Sequence, residues 1–150
     1  MKTFNYVIDD ESIKDIIPFS QFLTEKNVLI QVFCGQSKSV FQNTIDTICE
    51  KLPNATCIGA TSDGEIEESK IHVNKTVISI STFKSTYIRA SYKTLDSSYQ
   101  NGVDLSNDII TKKTKLMLFF ASLNKTNGDD FLKGVEKVEK IAPVYSVLDI

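Results

Sequence analysis

The sequence predicts an α/β domain with some α+β character, built on one mixed β-sheet of about six to seven strands. Short apolar runs, typical of buried parallel strands, alternate along the chain with segments of helical periodicity. The middle of the chain instead alternates single apolar and polar residues, which is typical of antiparallel strands. We therefore expect βαβ units with helices packed on the sheet, and a central antiparallel hairpin.

The first part of the chain predicts a helical segment followed by a βαβ unit. Residues 9–23 carry isoleucines and phenylalanines at helical spacing, interrupted at Pro18. Residues 28–33 and 55–60 are short apolar runs, and between them an apolar face recurs every three or four positions up to Pro53. A crossover of this length makes the two strands parallel, and the crossover itself is expected to be right-handed.

The rest of the chain predicts a hairpin and a second alternation of helices and strands. Residues 76–83 and 86–94 alternate apolar and polar side chains, so we expect them to pair as a hairpin with one wet face. The elements predicted after it are a helix, a strand, a helix and a final strand, at residues 100–113, 116–121, 129–138 and 142–147. No linker divides these elements, so residues 1–150 are predicted to form a single domain.

Composition and charge argue against several classes of partner. The formal net charge is −2, whereas a nucleic-acid surface normally shows a basic excess. The densest lysine group, Lys112, Lys113 and Lys115, fits a solvated surface beside a helix end. No apolar stretch approaches the roughly 20 residues of a membrane helix, and acids stand where a signal peptide would be apolar. We expect no nucleic-acid partner and no membrane partner.

The three cysteines indicate a reducing compartment. Cys34, Cys49 and Cys57 cannot all pair with one another, and their spacing matches no zinc motif. Each lies in an apolar or strand-like context, where a free thiol behaves as a small hydrophobic side chain. We therefore expect a cytoplasmic protein without a metal site or a cofactor.

Three polar loops follow the predicted apolar strands. They are residues Cys34–Ser37, Gly59–Glu65 and Ser122–Asn127. In open α/β sheets, ligands bind beyond the carboxyl ends of the strands, in loops that lead into helices. If the parent strands are neighbours, the three loops converge on one edge of the sheet.

The second loop carries the clearest candidate chemistry. Within nine residues it holds two glycines, which let a backbone approach closely, two hydroxyls and two acids. A site lined in this way suits a ligand that carries hydrogen-bond donors, such as an ammonium group. The alternative is a tight turn in which Asp63-Gly64 is only a turn signal, and the segment in isolation leaves both interpretations open.

Catalytic interpretations lack the necessary residues. Gly59 and Gly64 match neither a P-loop nor a dinucleotide fingerprint, and the acids beside them have no evident substrate-activating partner. His72, the only histidine, follows an acidic run in a polar stretch typical of a surface loop. Cys34, at a strand end before a helix, is the one candidate for a reactive thiolate. We expect no enzyme; a thiol- or carboxylate-dependent hydrolase is a minor alternative because a general base is missing.

Residues 57–66, CIGATSDGEI, resemble the characteristic motif of FIST sensory domains, in which a strand ends in Ile-Gly-Ala/Cys-Thr-Thr/Ser-x-Gly-Glu-Ile. The order of the flanking segments is also similar, and the resemblance spans residues 27–144. The similar flanking segments are residues 32–35, 52–55, 119–122 and 126–134. The resemblance implies an input module of a bacterial signalling protein, with an output such as a chemoreceptor, a histidine kinase or a diguanylate cyclase. It also implies a small ligand such as an amino acid.

The chain departs from the family pattern at its end. The family usually continues with a Gly-Gly-rich, Asp-containing segment and a second domain, whereas this sequence reads PVYSVLDI over residues 143–150. We therefore expect an N-terminal FIST-like domain that is incomplete at its C-terminus, with a homodimer as one way to complete it.

These observations give a set of candidate ligand-binding residues and one functional alternative. The main hypothesis is a non-catalytic sensing domain, and the alternative is a protein-interaction or dimerisation module that regulates a kinase or cyclase output. The glycines let the backbone approach a ligand, and the other candidates supply hydrogen bonds or charge. The candidate residues are Gly35, Gln36, Gly59, Thr61, Ser62, Asp63, Gly64, Glu65 and Asn124.

Overall fold

A computed structural model of the chain contains two compact units, Met1–Ile88 and Arg89–Ile150, each with its own hydrophobic cluster. The residues that the structure describes are 1–9, 13–67, 69–93, 97–120 and 125–138. Among them, no helix has both the length and the apolar character needed to cross a membrane.

The first unit contains a four-stranded mixed sheet and a separate two-stranded ribbon. Its strands are β1 (Lys2–Ile8), β2 (Val28–Cys34), β3 (Thr56–Thr61), β4 (Glu65–Glu67), β5 (Lys70–His72) and β6 (Thr76–Thr82). Its helices are α1 (Ile13–Ile16), a 3-10 helix (Phe19–Phe22) and α2 (Lys38–Lys51). The mixed sheet has the order β1-β6-β2-β3, and the ribbon pairs β4 with β5.

The direction of the strands places their ends at a common edge. Both β1 and β2 run antiparallel to β6, and β3 runs parallel to β2. Consequently β1, β2 and β3 all end at the edge where β6 begins. We call this edge the rim.

The predicted βαβ unit is confirmed as β2, α2 and β3. The hydroxyl of Ser37 caps α2 by accepting a hydrogen bond from the backbone N–H of Val40 at 3.3 Å. The helix ends at Lys51, and Pro53 follows two residues later. The cap and the proline are the sequence signals that bound a helix at its two ends.

The core of the first unit lies on one face of the sheet. Ile30 of β2 pairs with Ile80 of β6, and Val32 pairs with Ile78, and all four side chains are fully buried. The apolar face of α2, through Ile48, packs on the same cluster. This packed layer fixes the backbone of β2 and β6 up to the rim.

β1 was not predicted from the sequence. Phe4, Tyr6 and Ile8 lie on one face of β1, and their side chains pack on the core face of the sheet. Within the described sheet β1 is an edge strand, paired only with β6. An edge strand with one partly wet face gives a weak apolar pattern, which explains why it was missed.

The predicted hairpin of residues 76–83 with 86–94 is wrong. β6 exists, but both of its edges are occupied, by β1 and β2, so no third strand can pair with it. Residues 86–93 form no strand, and Tyr87 and Tyr92 are largely exposed. An antiparallel hairpin does occur just before β6: it is the β4–β5 ribbon, in which Ile66 pairs with Ile71. The expected count of six to seven strands in one sheet is not confirmed.

The second unit is built around two helices. α3 (Ser98–Ile109) and α4 (Gly128–Val138) match the helices predicted at residues 100–113 and 129–138 apart from their exact ends. The run predicted as a strand at 116–121 forms only an isolated bridge at Met117 among its described residues. Its side chains Met117 and Phe119 nevertheless pack against Phe131 and Val135 of α4. The strand predicted at 142–147 lies outside the described residues.

Candidate functional site

The two polar loops after β2 and β3 lie side by side at the rim. Cys34, the last residue of β2, is in register with Thr61 of β3 on one side and with Thr76 of β6 on the other. The backbone N–H of Ser62 donates to the carbonyl oxygen of Cys34 at 3.0 Å, and that of Gly35 donates to the carbonyl of Lys75 at 2.8 Å. These two bonds continue the pairing beyond the strands and hold the loops together.

A polar cluster of Cys34, Gln36 and Thr76 lies at the rim, and we call it the floor of the rim. The hydroxyl of Thr76 lies 3.1 Å from Cys34 Sγ and 2.9 Å from Gln36 Oε1, and both Thr76 and Cys34 are fully buried. A hydroxyl carries one proton and therefore donates to one of these two partners at a time. Gln36 Nε2 also donates to the carbonyl oxygen of Asp9, at 3.4 Å. The side chain of Gln36 is thus held at both ends.

An ion pair lies at the same edge. Lys75 Nζ is 2.7 Å from Asp9 Oδ2, and both side chains are partly open to solvent. Such an exposed pair contributes little to stability, typically about 0–1 kcal/mol. The pair places both signs of charge at this edge, and the backbone carbonyl of Asp9 also accepts from the Gln36 amide.

Sequence reasoning missed three residues at this edge, Asp9, Lys75 and Thr76. The sequence places Asp9 at a helix start, Lys75 in the polar stretch around His72, and Thr76 at the start of a hairpin strand. The available signal was topological: a strand antiparallel to β2 must begin where β2 ends. The position of Lys75 and Thr76 beside the end of β2 becomes evident only once β6 is known to pair with β2.

The loop that carries the FIST-like motif, residues 59–65, is called the characteristic loop. Some of its polar residues are exposed to solvent and others are partly buried. Thr61 and Asp63 are exposed, and Ser62 is partly buried. Glu65 begins β4, where its backbone pairs with His72. Asn124 and most of the third predicted loop lie outside the described residues. The Ser62 to Cys34 hydrogen bond therefore joins the starts of the first two loops. Gln36 contacts Thr76 and Asp9, on the side of β2 that faces β6.

The two glycines of the characteristic loop differ in what they require. A Cβ at Gly59 would overlap the carbonyl oxygen of Val32 and would lie 3.1 Å from the Cβ of Val32. A Cβ at Gly64 would meet only the carbonyl oxygen of His72, at an ordinary contact distance of 3.5 Å. No described glycine has a positive φ, so close approach between β3 and β2 is the reason that Gly59 must lack a side chain.

Cys34 and Cys57 differ from the nucleophiles of thiol enzymes. Burial, with a smaller effect from Cys49, raises the pKa of Cys57 to about 12, so this thiol stays protonated at neutral pH. Cys34 is fully buried beneath the rim. Reactive cysteines are partly exposed and electropositive in their surroundings, and neither thiol fits that description. Among the described residues, no three histidine, cysteine or acidic side chains are grouped as metal ligands would be.

The fold and the rim together define a small mixed α/β domain with polar loops gathered at the carboxyl ends of parallel strands. A model of the FIST N domain family matches residues 28–145, from β2 onward and including both rim loops. The chain belongs to this family. FIST domains are sensory, signal-transduction domains and form a non-catalytic family. No curated protein and no solved structure gives a significant match to the chain.

Proposed function

We propose that the chain is a non-catalytic input domain of a bacterial signal-transduction pathway that binds an amino acid or a similar small metabolite at the rim. The observation that carries this proposal is the hydrogen bond between Ser62 N and Cys34 O, which places the loops after β2 and β3 side by side. Ligands of open α/β sheets bind where such loops meet.

The groups at the rim suit a ligand with an ammonium group. Asp63 is exposed and offers carboxylate oxygens, and Thr61, two residues before it, is also exposed and carries a hydroxyl. Gln36 is already oriented by Thr76 and by the carbonyl of Asp9, so little side-chain entropy remains to be lost when a ligand binds. Gly35, Ser62, Gly64 and Glu65 complete the proposed binding surface in the same two loops.

The proposed setting is the cytoplasm, and the proposed output is a histidine kinase, a chemoreceptor or a diguanylate cyclase. Membership of a sensory family supports the signalling role, and the net charge of −2 fits a partner that is not nucleic acid. Binding would bias the rim loops, which are tied directly to β2 and β6, and the output would respond to that bias.

A thermal-shift screen of the twenty standard amino acids and small amines tests the proposal. A ligand at a hundredfold excess over its Kd stabilises the folded state by about 2.7 kcal/mol, which gives a clear rise in Tm. We expect Asp63→Ala to abolish the rise and Asp46→Ala, an exposed acid on α2, to retain it. A screen without any stabilising compound, or a rise unaffected by Asp63→Ala, would contradict the proposal.

The alternative, a protein-interaction or dimerisation module, is favoured by one observation. On the β4–β5 ribbon the paired side chains of Ile66 and Ile71 are 76% and 77% exposed, and Val73 is 59% exposed. Three side chains are few beside the roughly 20–30 residues that each partner contributes to a stable interface. We therefore place ligand sensing first. A concentration-dependent dimer in light scattering, combined with an empty ligand screen, would reverse that order.

A further inference from the structure

The β4–β5 ribbon presents apolar side chains to solvent. Ile66 and Ile71 are register partners, so their side chains lie on one face of the ribbon, where they are 76% and 77% exposed. Lys70 and His72 flank Ile71 along β5 and lie on the opposite face. Val73, directly after β5, is 59% exposed. We call Ile66, Ile71 and the adjoining Val73 the ribbon face. A two-stranded ribbon alone is only marginally stable in water, and cover on its apolar side stabilises it.

Both ends of the ribbon are attached to the rim. A connection of three residues joins β3 to β4, and another joins β5 to β6. In the first connection the N–H of Ser62 donates to the carbonyl oxygen of Cys34, and in the second the carbonyl oxygen of Lys75 accepts from the N–H of Gly35. Cys34 and Gly35 are consecutive residues at the end of β2. The ribbon is therefore continuous with the rim through both of its strands.

The sequence of the ribbon is acidic. Residues 63–72 contain four acids and one lysine, a formal charge of −3 with His72 neutral. The acids are Asp63, Glu65, Glu67 and Glu68. Lys75, just beyond this range, is already paired with Asp9. An excess of negative charge attracts a basic partner, and it opposes both a second copy of the same ribbon and an anionic lipid surface.

We propose that the ribbon face binds a short, basic, amphipathic segment of the output protein. The apolar side chains of that segment cover Ile66 and Ile71, and its lysines or arginines interact with the acidic charge of residues 63–68. Burial of the two isoleucines supplies the attraction, and the charge selects a basic segment over a neutral or acidic one.

The size of the ribbon face favours a short segment over the surface of a folded domain. A stable interface between folded domains takes roughly 20–30 residues from each partner. An amphipathic peptide instead binds through a few apolar anchors that repeat along one of its sides. The ribbon face offers three exposed apolar side chains, which suits the second kind of partner.

The ribbon face contains none of the residues proposed to bind a small ligand. Binding of a basic segment there needs no ligand at the rim, so an empty amino-acid screen would leave this inference standing. Failure of the segment to bind would equally leave ligand sensing standing. The two proposals are therefore tested separately.

Fluorescence anisotropy of a labelled synthetic peptide, titrated with the full chain at physiological ionic strength, tests the inference. The probe contains only leucine and lysine, with its leucines on one side of a helix, and a matched peptide has glutamate in place of every lysine. The lysine peptide is expected to bind saturably, and the glutamate peptide roughly tenfold or more weakly. Equal affinities would overturn the assignment of a basic partner, and a lysine peptide that does not bind saturably would overturn the whole inference.

A double variant shows whether the ribbon face is the place of binding. Ile66→Thr with Ile71→Thr keeps β-branched side chains in the strands and removes apolar surface, and it is expected to weaken binding of the lysine peptide roughly tenfold or more. Leu23→Thr, at a position of the same unit that is 62% exposed, is the control and is expected to keep the affinity. Unchanged affinity in the double variant, with its fold verified by circular dichroism, would overturn the inference.

Two further measurements address the other possible occupants of the ribbon face. Light scattering of the unmodified chain is expected to show no dimer that the double variant loses. Vesicles that contain phosphatidylserine are expected not to retain the chain, because both carry negative charge. A dimer lost in the double variant would assign the ribbon face to a second copy, and retention on vesicles lost in that variant would assign it to lipid. Either result would overturn the inference.

Discussion

Gly59 shows how one residue couples the fold to the site. It lies in β3 opposite Val32, whose carbonyl oxygen occupies the space that a Cβ would need. We expect Gly59→Ala to lower the free energy of unfolding by about 1–3 kcal/mol, the usual cost of overpacking. Urea denaturation measures this effect, and Gly64→Ala, at a glycine with room for a Cβ, is the control. Equal losses in the two variants would contradict the packing argument.

Asn74 adopts a left-handed backbone conformation, with φ of 55°, in the turn between β5 and β6. Asparagine and glycine tolerate this conformation, whereas a β-branched residue does not. We predict that Asn74→Gly leaves the free energy of unfolding nearly unchanged and that Asn74→Val lowers it by about 1–2 kcal/mol. Denaturant titrations of both variants are the measurement, and a neutral valine variant would show that the turn can relax.

Cys57 makes stability depend on pH in the alkaline range. Its pKa is raised from 9.0 to about 12, by burial first and by Cys49 second. Below about pH 9 the thiol is protonated in both the folded and the unfolded states. Between about pH 9 and about 12 the unfolded chain loses this proton while the folded chain keeps it, so the free energy of unfolding falls.

The test compares the slope of stability against pH in three proteins. Cys57→Ala is expected to decline less between pH 9 and 11 than the unmodified chain. Cys49→Ala, at an exposed cysteine, is expected to retain most of the decline because burial is the larger cause. If the free energy of unfolding fell equally with pH in Cys57→Ala and in the unmodified chain, Cys57 would not be the cause of the alkaline decline.

At the scale of elements, the contact between α3 and α4 depends on two glycines. A Cβ at Gly134 would overlap the carbonyl oxygen of Tyr99, and one at Gly102 would overlap the carbonyl oxygen of Phe131. We expect Gly134→Ala to push the helices apart and to destabilise the second unit by about 1–3 kcal/mol. Hydrogen exchange of the α3 and α4 amides measures this local loss. Gly128→Ala, where a Cβ meets nothing within 4 Å, is the control and is expected to leave exchange unchanged.

The elements also show what sequence patterns can and cannot determine. The helix α2 and its flanking strands were predicted because caps, proline and apolar spacing are local signals. The hairpin after β6 was predicted wrongly because alternation reveals that a strand has two different faces but not which strand pairs with it. The partners of β6 are β1 and β2, far from it in sequence, and no local pattern encodes that choice.

At the scale of the whole molecule, the position of the candidate site follows from topology. The loops after β2 and β3 were predicted to converge because consecutive parallel strands end at one edge, and the Ser62 to Cys34 bond confirms that these two meet. The floor of the rim could not be predicted. Thr76 and Lys75 reach it only because β6 enters antiparallel, and their sequence surroundings are those of an ordinary strand start.

The most direct test of the central claim is NMR mapping of the compound that gives the largest stabilisation in the amino-acid screen. If the two loops form one binding surface, the backbone amides of Gly35, Gln36, Thr61, Ser62 and Asp63 will shift together, with a single Kd. Shifts confined to one of the two loops, or centred elsewhere in the chain, would contradict the account.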